Sequence, residues 1–188
     1  MIHLRKIEPA DLPFLYQWEN DASSWADADT HNPLSQQDMR DYIESTTGDI
    51  YRDGQLRLII EEPSAVSVQP SGASEHSEKG RQPSAIGNAT LGCIDLFDLD
   101  IRNRKAAIGM YVAPEARGRG VGRAAVEALE QYAFGHLNLR LLYAVIAERN
   151  ESCTALYRSM GYQSTAKLPG WTLEGDAVVW IKRSPSLT

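Results

Sequence analysis

The sequence predicts a single α/β domain built on a mixed β-sheet with helices on both faces. Short apolar runs typical of strands alternate along the chain with segments of helical periodicity. A strand, a helix and a strand follow one another between residues 105 and 147, which is the crossover that joins parallel strands. With 188 residues, of which 43% are apolar, the chain has enough material for one core.

The N-terminal part of the chain is predicted to hold one strand and two helices. Residues 1–7 alternate like a strand, and Asp11 is expected to cap the first helix with its side chain. The spacing Ser35-x-x-Asp38 is a capping box. It predicts a second helix that runs to about Ile43.

An unusual segment separates the next two predicted strands, at residues 56–61 and 86–97. From about residue 62 to residue 85 the sequence is dominated by Ser, Pro, Gly and charged residues, which bury too little apolar surface to offset the cost of ordering. Because the cost of loop closure grows only logarithmically with length, we expect a flexible insertion within one domain that spans residues 1–188.

The second half of the chain is predicted to alternate strands with helices. Residues 98–104 favour turns. The elements expected after them are a strand at 105–112, a helix at 124–134, a strand at 141–147, a helix at 154–160 and a strand at 177–182. The first of these helices has an apolar stripe at residues 126, 129 and 133. The continuous apolar run at 141–147 indicates a buried parallel strand.

A glycine-rich loop joins the strand at 105–112 to the helix that follows it. Gly118, Gly120 and Gly122 stand at alternate positions, so the backbone can turn tightly and bring several N–H groups close to an anion. The free N–H groups at the start of the helix also favour the binding of an anion. Three side chains that pair well with phosphate add positive charge: Arg117, Arg119 and Arg123. The loop therefore predicts a pyrophosphate cradle.

Two other phosphate-binding loops fit less well. A Walker loop needs Lys followed by Ser or Thr after its last glycine, whereas Arg123 and Ala124 stand here. Gly120, Gly122 and Ala125 do satisfy the dinucleotide pattern G-x-G-x-x-A, but residues 113–119 separate them from the strand. An NAD-binding protein is therefore the third-ranked hypothesis.

Two blocks of this sequence resemble the GNAT superfamily of N-acetyltransferases. Arg117-x-x-Gly120-x-Gly122 is similar to the acetyl-CoA signature R/Q-x-x-G-x-G/A, and residues 150–162 are similar to the segment N-x-x-A-x-x-L-Y-x-x-x-G-F. The blocks occur in the expected order and separation. The resemblance covers most of the chain and is nearest to the branch of ribosomal-protein and diamine acetyltransferases. It implies a GNAT-like fold, in which two central strands splay apart and the thioester arm of acetyl-CoA, the co-substrate, lies between them. Pro114, which cannot donate to a ladder, is expected to help end the pairing there.

The resemblance also implies roles for individual residues. Tyr157 is expected to face the leaving thiolate, and Glu19 and Trp25 are expected to wall the acceptor pocket. Four acids of this region could bind a cationic amine, or could be solvated loop acids: Glu19, Asp21, Asp27 and Asp29. Twelve residues are expected to contact acetyl-CoA: Met110, Tyr111, Val112, Arg117, Gly118, Arg119, Gly120, Val121, Gly122, Arg123, Asn150 and Ser152. A backbone N–H near Val112 would stabilise the charge that develops on the thioester oxygen. The alternatives are a helix cap for Asn150 and an ordinary packing ring for Tyr157.

The chemistry of amine acetylation needs two proton movements. An alkylamine is neutral in only about one molecule in 2,500 at pH 7, so it must be deprotonated. The resembled family often carries a glutamate where this chain has Ala107. Asp95 matches an acidic position in diamine-acetylating members and is the expected base, with a water relay to Glu19 or Asp98 as the alternative. Because a phenol would protonate a thiolate uphill by about 2 kcal/mol, Tyr157 is expected to act mainly as a hydrogen-bond donor.

Bulk properties narrow the function further. A net charge of −6 argues against a basic nucleic-acid-binding face. The chain shows no signal peptide or membrane span. Its two cysteines and four scattered histidines suggest neither disulfides nor a metal site, so we expect a cytoplasmic protein.

The acceptor is predicted to be a polyamine or another small amine. A protein N-terminus or an amino sugar is the lower-ranked acceptor. A non-catalytic acyl-CoA sensing module is the alternative. Trp171 and Trp180, if exposed, would favour a homodimer.

Overall fold

The protein folds around one seven-stranded sheet with the strand order β1-β2-β3-β4-β5-β7-β6. The computed structural model describes residues 2–22, 25, 32–63, 88–173 and 175–185. The strands are β1 (His3–Lys6), β2 (Leu56–Glu62), β3 (Ala89–Asp100), β4 (Lys105–Val112), β5 (Leu141–Ala147), β6 (Gln163–Thr172) and β7 (Gly175–Arg183). Only β4 and β5 pair in parallel, and all other neighbours are antiparallel. The predicted mixed sheet is confirmed.

The described helices are α1 (Leu12–Glu19), α2 (Gln36–Ser45), α3 (Ile50–Asp53), α4 (Val121–Glu130) and α5 (Glu151–Ser159). The capping box of α2 is confirmed, since the Asp38 amide donates to Ser35 Oγ at 3.1 Å and the Ser35 amide donates to Asp38 Oδ2 at 2.8 Å. Helix α4 continues into a π-helical turn, Gln131–His136. Its predicted apolar stripe, Val126, Leu129 and Ala133, is fully buried.

Asp11 is the N-cap residue of α1, as predicted, but its side chain makes no capping hydrogen bond to that helix. Asp11 closes a 3-10 turn, Pro9–Asp11, and its buried carboxylate accepts two hydrogen bonds from Arg5, each of 2.7 Å, and one from the Glu8 amide. Arg5 also donates to Glu61 on β2. A buried carboxylate needs strong donors, and the arginine of β1 is a better partner than helix amides.

Other boundaries differ from the sequence prediction. Residues 98–100 belong to β3, so the turn is confined to 101–104. Helix α3 and strand β6 were not predicted; most side chains of β6 are exposed on both faces of the sheet, which removes the alternating pattern that signals a strand. Glu62 still belongs to β2. Residues 64–85 of the predicted insertion, and residues 86 and 87 of the strand predicted after it, lie outside the described residues.

The two central strands, β4 and β5, separate after a short stretch of pairing. They pair at only three positions: Lys105 with Leu141, Ala106 with Leu142 and Ala107 with Tyr143. Beyond them, residues 108–112 pair only with β3 and residues 144–147 only with β7. The splay implied by the family resemblance is therefore confirmed, and the gap opens toward the carboxyl ends of both strands.

Pro114 was expected to help end this pairing, and the structure contradicts that expectation. Pairing between β4 and β5 stops at Ala107, well before the proline. On the other edge, the chain stays bound to β3 up to Ala113, whose amide donates to the Leu91 carbonyl at 2.9 Å. Pro114 starts a 3-10 turn, Pro114–Ala116, that leads into the glycine-rich loop.

The C-terminal hairpin exposes one of the two tryptophans that bear on self-association. Trp171 is 64% exposed, whereas Trp180 is buried. Leu173, beside Trp171 in sequence, is fully exposed. A homodimer stays a prediction, which sedimentation as a 20.9 kDa monomer would contradict.

No helix within the described ranges is long and apolar enough to cross a bilayer.

Gly92 gives a test of how closely β3 and β4 approach. The β2–β3 register shifts beside this residue, and a Cβ added to Gly92 would lie 2.1 Å from the carbonyl oxygen of Tyr111. We expect Gly92→Ala to lower the free energy of unfolding by about 2 kcal/mol, because the backbone of β4 must move. Urea denaturation monitored by circular dichroism would measure the change.

The matched control is Gly135→Ala, where an added Cβ meets nothing within 4 Å. In that helical turn alanine should leave stability unchanged or raise it by up to about 1 kcal/mol. Equal urea denaturation midpoints for Gly92→Ala and the native chain would show that β3 and β4 can move apart at little cost in free energy.

Candidate active site

The glycine-rich loop leads directly into the first turn of α4, with Gly120 as its N-cap residue. Gly118 and Gly120 have φ angles of 72° and 81°, in the left-handed region that favours glycine, and the space around both is open. The first helical hydrogen bond runs from the Ala124 amide to the Gly120 carbonyl at 3.1 Å. The amides of residues 121–123 therefore have no acceptor within the helix. These donors, together with the positive end of α4, suit a phosphate group.

Gly122 serves a different purpose from the other two glycines. A Cβ there would lie 3.2 Å from Met110 Cε and 3.5 Å from Leu156 Cδ2. Its lack of a side chain lets α4 pack closely against β4 and α5 at the mouth of the gap. The sequence prediction of close backbone approach thus applies to Gly122, whereas Gly118 and Gly120 are needed for their backbone angles.

The free edge of β4 presents backbone groups to the gap. Because the Ala113 amide donates to β3, and because amides along a strand alternate in direction, the amides of Met110 and Val112 point away from β3. The carbonyl of Val112 points the same way and accepts a hydrogen bond from Arg117 Nε at 2.8 Å. The Arg117 guanidinium also lies 5.7 Å from the ring centre of Tyr111. Arg117 therefore fastens the loop to the end of β4.

The other two arginines of the loop already have protein partners. Arg119 donates to Glu62 Oε2 at 2.7 Å, and Arg123 donates to Ser159 Oγ at 2.5 Å. The side chains of Arg119 and Arg123 are 50% and 46% exposed. Both guanidinium groups therefore face solvent at the cradle, and an incoming phosphate must compete with Glu62 for Arg119.

The first turn of α5 lies at the same open end of the gap. Asn150 Oδ1 accepts hydrogen bonds from the Cys153 amide and from Ser152 Oγ, each of 3.1 Å. The helix-cap alternative for Asn150 is therefore present in the structure. The predicted contact of Asn150 and Ser152 with acetyl-CoA stays a prediction.

Tyr157 lies deeper, on the buried side of α5. Its side chain is 3% exposed and meets the ring of Tyr162 edge-on, with ring centres 4.8 Å apart. Burial raises the pKa of Tyr157 well above its usual value, and the neighbouring Cys153 and Glu130 add to the effect. The phenol is therefore held in its protonated form, as a hydrogen-bond donor must be.

The two predicted acidic residues, Glu19 and Asp95, meet through an arginine that the sequence analysis did not single out. Arg57 donates to Asp95 from Nε at 2.9 Å and from Nη2 at 2.8 Å, and to Glu19 from Nη1. Its guanidinium lies 5.6 Å from the ring centre of Tyr42. Arg57 and Asp95 are cross-strand partners on β2 and β3, so only the register of these strands brings them together.

Asp95, the expected base, stands beside the gap. A Cβ added to Gly109 on β4 would lie 3.8 Å from Asp95 Oδ2, which places the carboxylate just past the end of the β4–β5 pairing. The carboxylate accepts charge-assisted hydrogen bonds from Arg57. Its role as the base stays a prediction.

The segment after α1 forms a wall against β4. Trp25 Nε1 donates to the Glu19 carbonyl at 2.9 Å, and the Tyr111 hydroxyl donates to Asp21 Oδ2 at 3.1 Å. Trp18 lies against Tyr111, with ring centres 5.5 Å apart. Burial and the Asp21 carboxylate raise the pKa of Tyr111 to about 12. The predicted pocket residues Glu19 and Trp25 are therefore adjacent, whereas Asp27 and Asp29 lie outside the described residues.

The described residues also include side chains of types that can ligate metals, and a buried cysteine, Cys93. Within residues 2–22, 25, 32–63, 88–173 and 175–185, no three His, Cys, Asp or Glu side chains come together as metal ligands. Burial raises the pKa of the Cys93 thiol to about 12, with the Asp95 charge next in importance. Cys93 is therefore a poor nucleophile at neutral pH.

Comparisons with known proteins agree with this architecture. Residues 2–163 match the family described as Acetyltransferase (GNAT) domain. Spermidine N(1)-acetyltransferase of Escherichia coli (strain K12) is 25% identical over 171 residues, which cover 89% of this chain and 75% of that protein. The putative ribosomal N-acetyltransferase YdaF of Bacillus subtilis (strain 168) is 38% identical over 76 residues, or 40% of this chain and 42% of that protein.

A solved structure shares the fold. Spermidine N-acetyltransferase from Vibrio cholerae, in complex with CoA and spermine, superposes with a TM-score of 0.77 at 18% identity, covering 97% of this chain and 95% of that one. A dodecameric structure of spermidine N-acetyltransferase from the same organism gives a TM-score of 0.74, also at 18% identity, and covers 99% of this chain and 95% of that one. At this level of identity the likeness bears on the fold alone.

Arg57 gives a test of the ionic cluster. We expect Arg57→Gln to lower the free energy of unfolding by about 3 kcal/mol, because it leaves two partly buried carboxylates without their cation. In a double-mutant cycle, adding Asp95→Asn to the Arg57→Gln variant should restore part of the lost free energy of unfolding. Urea denaturation of the four proteins measures the coupling.

The control for this cycle is Arg40→Gln, on the exposed face of α2, which should change stability by less than about 0.5 kcal/mol. Strictly additive effects of Arg57→Gln and Asp95→Asn would contradict the proposed ionic coupling.

Proposed function

This chain belongs to the GNAT family of acetyltransferases, and we propose that its acceptor is the primary amine of a polyamine. Family membership fixes the reaction class, in which the acetyl group of acetyl-CoA passes to an amine nitrogen. The observation that carries the choice of acceptor is the acidic cluster beside the gap, where Glu19 and Asp95 share the single cation of Arg57. One net negative charge there, with Asp21 nearby, attracts an acceptor with more than one ammonium group.

The relatives support the same choice. Two spermidine N(1)-acetyltransferases, both from Escherichia coli strains, align over 89% of this chain. The similarity to the ribosomal N-acetyltransferase covers a smaller share, 40% of the chain. A protein N-terminus is therefore the second candidate acceptor.

We assign acetyl-CoA to the cradle and the gap. The amides of residues 121–123, with Arg119 and Arg123, would bind the pyrophosphate. The thioester arm would then run along the free edge of β4. The Val112 amide, which points into the gap, is the donor proposed to stabilise the oxyanion of the tetrahedral intermediate.

The proton movements follow from the surroundings of the two candidate groups. Because Asp95 is bound to Arg57, we assign deprotonation of the amine to ordered water rather than to that carboxylate. Because the pKa of Tyr157 is raised by burial, full proton transfer to the thiolate is even less favourable than the sequence suggests. Tyr157 is proposed to donate a hydrogen bond to the sulfur as the C–S bond breaks.

A panel of acceptors tests the proposed function. Thiol release from acetyl-CoA would be measured with spermidine, spermine, a monoamine, an amino sugar and a peptide with a free N-terminus. We expect kcat/KM for the polyamines to exceed that for the monoamine by at least about tenfold, and the advantage to shrink with added salt because exposed charges are screened. Release with the peptide alone would favour the second acceptor. Tight binding of acetyl-CoA without release for any amine would favour a sensing module.

Replacement of one hydroxyl tests the role of Tyr157. We expect Tyr157→Phe to reduce kcat by about 10²-fold, the lower end for a positioned proton or hydrogen-bond donor, with the KM for acetyl-CoA changed less than about threefold. Steady-state kinetics with the best acceptor of the panel provides the measurement.

Tyr132→Phe is the matched control, because Tyr132 stacks on His136 in the extension of α4 and takes no part in the proposed site. Its kcat should equal that of the native chain. An unchanged kcat in Tyr157→Phe would indicate that Tyr157 is an ordinary packing ring.

A further inference from the structure

The side chain of Tyr111 lies on the acceptor side of the sheet, although its strand, β4, also borders the gap proposed for acetyl-CoA. Directly paired residues of neighbouring strands share one face of a sheet, as do residues two positions apart on one strand. Tyr111 is paired with Cys93, and Gly109 is paired with Asp95. The Tyr111 side chain therefore stands on the same face as the Asp95 carboxylate.

Three groups contact the Tyr111 side chain. The hydroxyl donates a hydrogen bond to Asp21 Oδ2 at 3.1 Å, the ring centre lies 5.5 Å from that of Trp18, and the guanidinium of Arg117 lies 5.7 Å from the same ring centre. Asp21 and Trp18 belong to the wall on the acceptor side, whereas Arg117 stands at the start of the glycine-rich loop. One side chain thus touches both halves of the site.

The hydrogen bond from Tyr111 fixes the orientation of the Asp21 carboxylate. Burial and the Asp21 charge raise the pKa of Tyr111 to about 12, so the hydroxyl is a donor at neutral pH. An ionised carboxylate has two oxygens and about four sites at which it accepts hydrogen bonds. A single bond from a tyrosine hydroxyl therefore orients the group and leaves it able to contact a cation.

Asp21 and Asp95 lie at different heights above the sheet. Asp95 Oδ2 would be 3.8 Å from a Cβ added to Gly109, so this carboxylate lies at the surface of β4. Asp21 meets the hydroxyl of Tyr111, which is the atom of that side chain farthest from the strand. Its carboxylate is thus set back from the backbone edge where the thioester is proposed to lie. Asp95 is the nearer acid for the amine that reacts, and Asp21 is the nearer acid for a second ammonium group.

We propose that Tyr111 is a positioning residue, whose hydroxyl holds the Asp21 carboxylate for an ammonium group other than the reacting amine and whose ring supports Arg117 on the cofactor side. This inference rests on the proposed polyamine acceptor. A carboxylate that is already oriented lowers the entropic cost of binding a flexible cationic chain. A monoamine has no second ammonium group, so its binding does not depend on Asp21.

Tyr111→Phe tests the role of the hydroxyl, because it keeps the ring. We expect the KM for spermidine to rise about fivefold, the size of one modest hydrogen-bond contribution. The kcat with spermidine, the KM for acetyl-CoA and kcat/KM for a monoamine should each change less than about twofold. Calorimetric titration of spermine into the protein saturated with CoA should show the same loss of affinity without turnover. An equal loss for spermidine and the monoamine would overturn the inference.

A double-mutant cycle tests whether the hydroxyl acts through Asp21. Asp21→Asn should raise the KM for spermidine at least as much as Tyr111→Phe, and the double variant should show no further rise. Additive effects of the two substitutions would contradict the inference. If the native chain does not favour polyamines over the monoamine, the proposed function fails. If the native chain favours them and Tyr111→Phe retains that preference, only the inference about Tyr111 fails.

Two further variants test the role of the ring. Tyr111→Leu should also raise the KM for acetyl-CoA, by about threefold, because Arg117 loses the aromatic face on which it lies. Arg117→Lys keeps the charge but loses the planar group, and it should raise the KM for acetyl-CoA without changing the preference for polyamines. If Tyr111→Leu folds poorly in urea denaturation, Arg117→Lys decides. An unchanged KM for acetyl-CoA in Arg117→Lys would overturn the role of the ring.

Tyr51→Phe is the matched control, since it removes a tyrosine hydroxyl outside the proposed site. Tyr51 is 52% exposed, and its hydroxyl lies 3.5 Å from the carbonyl oxygen of Leu137. Both KM values should equal those of the native chain. A rise in the KM for spermidine as large as that in Tyr111→Phe would show that the effect is not specific to Tyr111, and would overturn the inference.

Discussion

The short pairing of β4 with β5 is the constraint on which the rest of the site depends. Three paired positions join the two halves of the sheet, and beyond them each strand keeps only its outer partner. Backbone groups on the inner edges are thereby left available, and in a folded protein such groups need partners. Because the two strands are parallel, the loops that follow them reach the same end of the gap. The glycine-rich loop and the first turn of α5 therefore converge without any long connection.

The charges around the gap are arranged in two separate layers. On one side, Arg57 holds Glu19 and Asp95 in a partly exposed cluster that can exchange partners with a cationic ligand. On the other side, Lys182 forms an ion pair with Glu130 at the end of α4. The first layer suits recognition of a cationic acceptor.

Local patterns in the sequence were enough to predict the cradle, the capping box of α2 and the buried stripe of α4, because each is set by residues a few positions apart. The contacts that complete the site could not be predicted from the sequence. Arg57 meets Asp95 only through the register of β2 and β3, and Glu130 meets Lys182 across 52 positions of the sequence. Asp11 shows the converse error. The local sequence favours a helix cap, but the Asp11 carboxylate accepts hydrogen bonds from Arg5 on β1 instead. Strand β6 gave no signal because solvent contacts both of its faces.

The order of the elements along the chain has a consequence for how such an enzyme can diversify. Apart from Tyr111 in β4 itself, the side chains proposed to wall the acceptor, from Trp18 to Asp95, precede β4, whereas the proposed cradle and Tyr157 follow it. Strand β4 is the shared boundary, and it contributes mainly backbone groups to the gap. Changes in the first half of the gene can therefore alter which amine is accepted while the cofactor half is inherited intact. A single crossover between homologous genes, near the codons for β4, would exchange one substrate range for another.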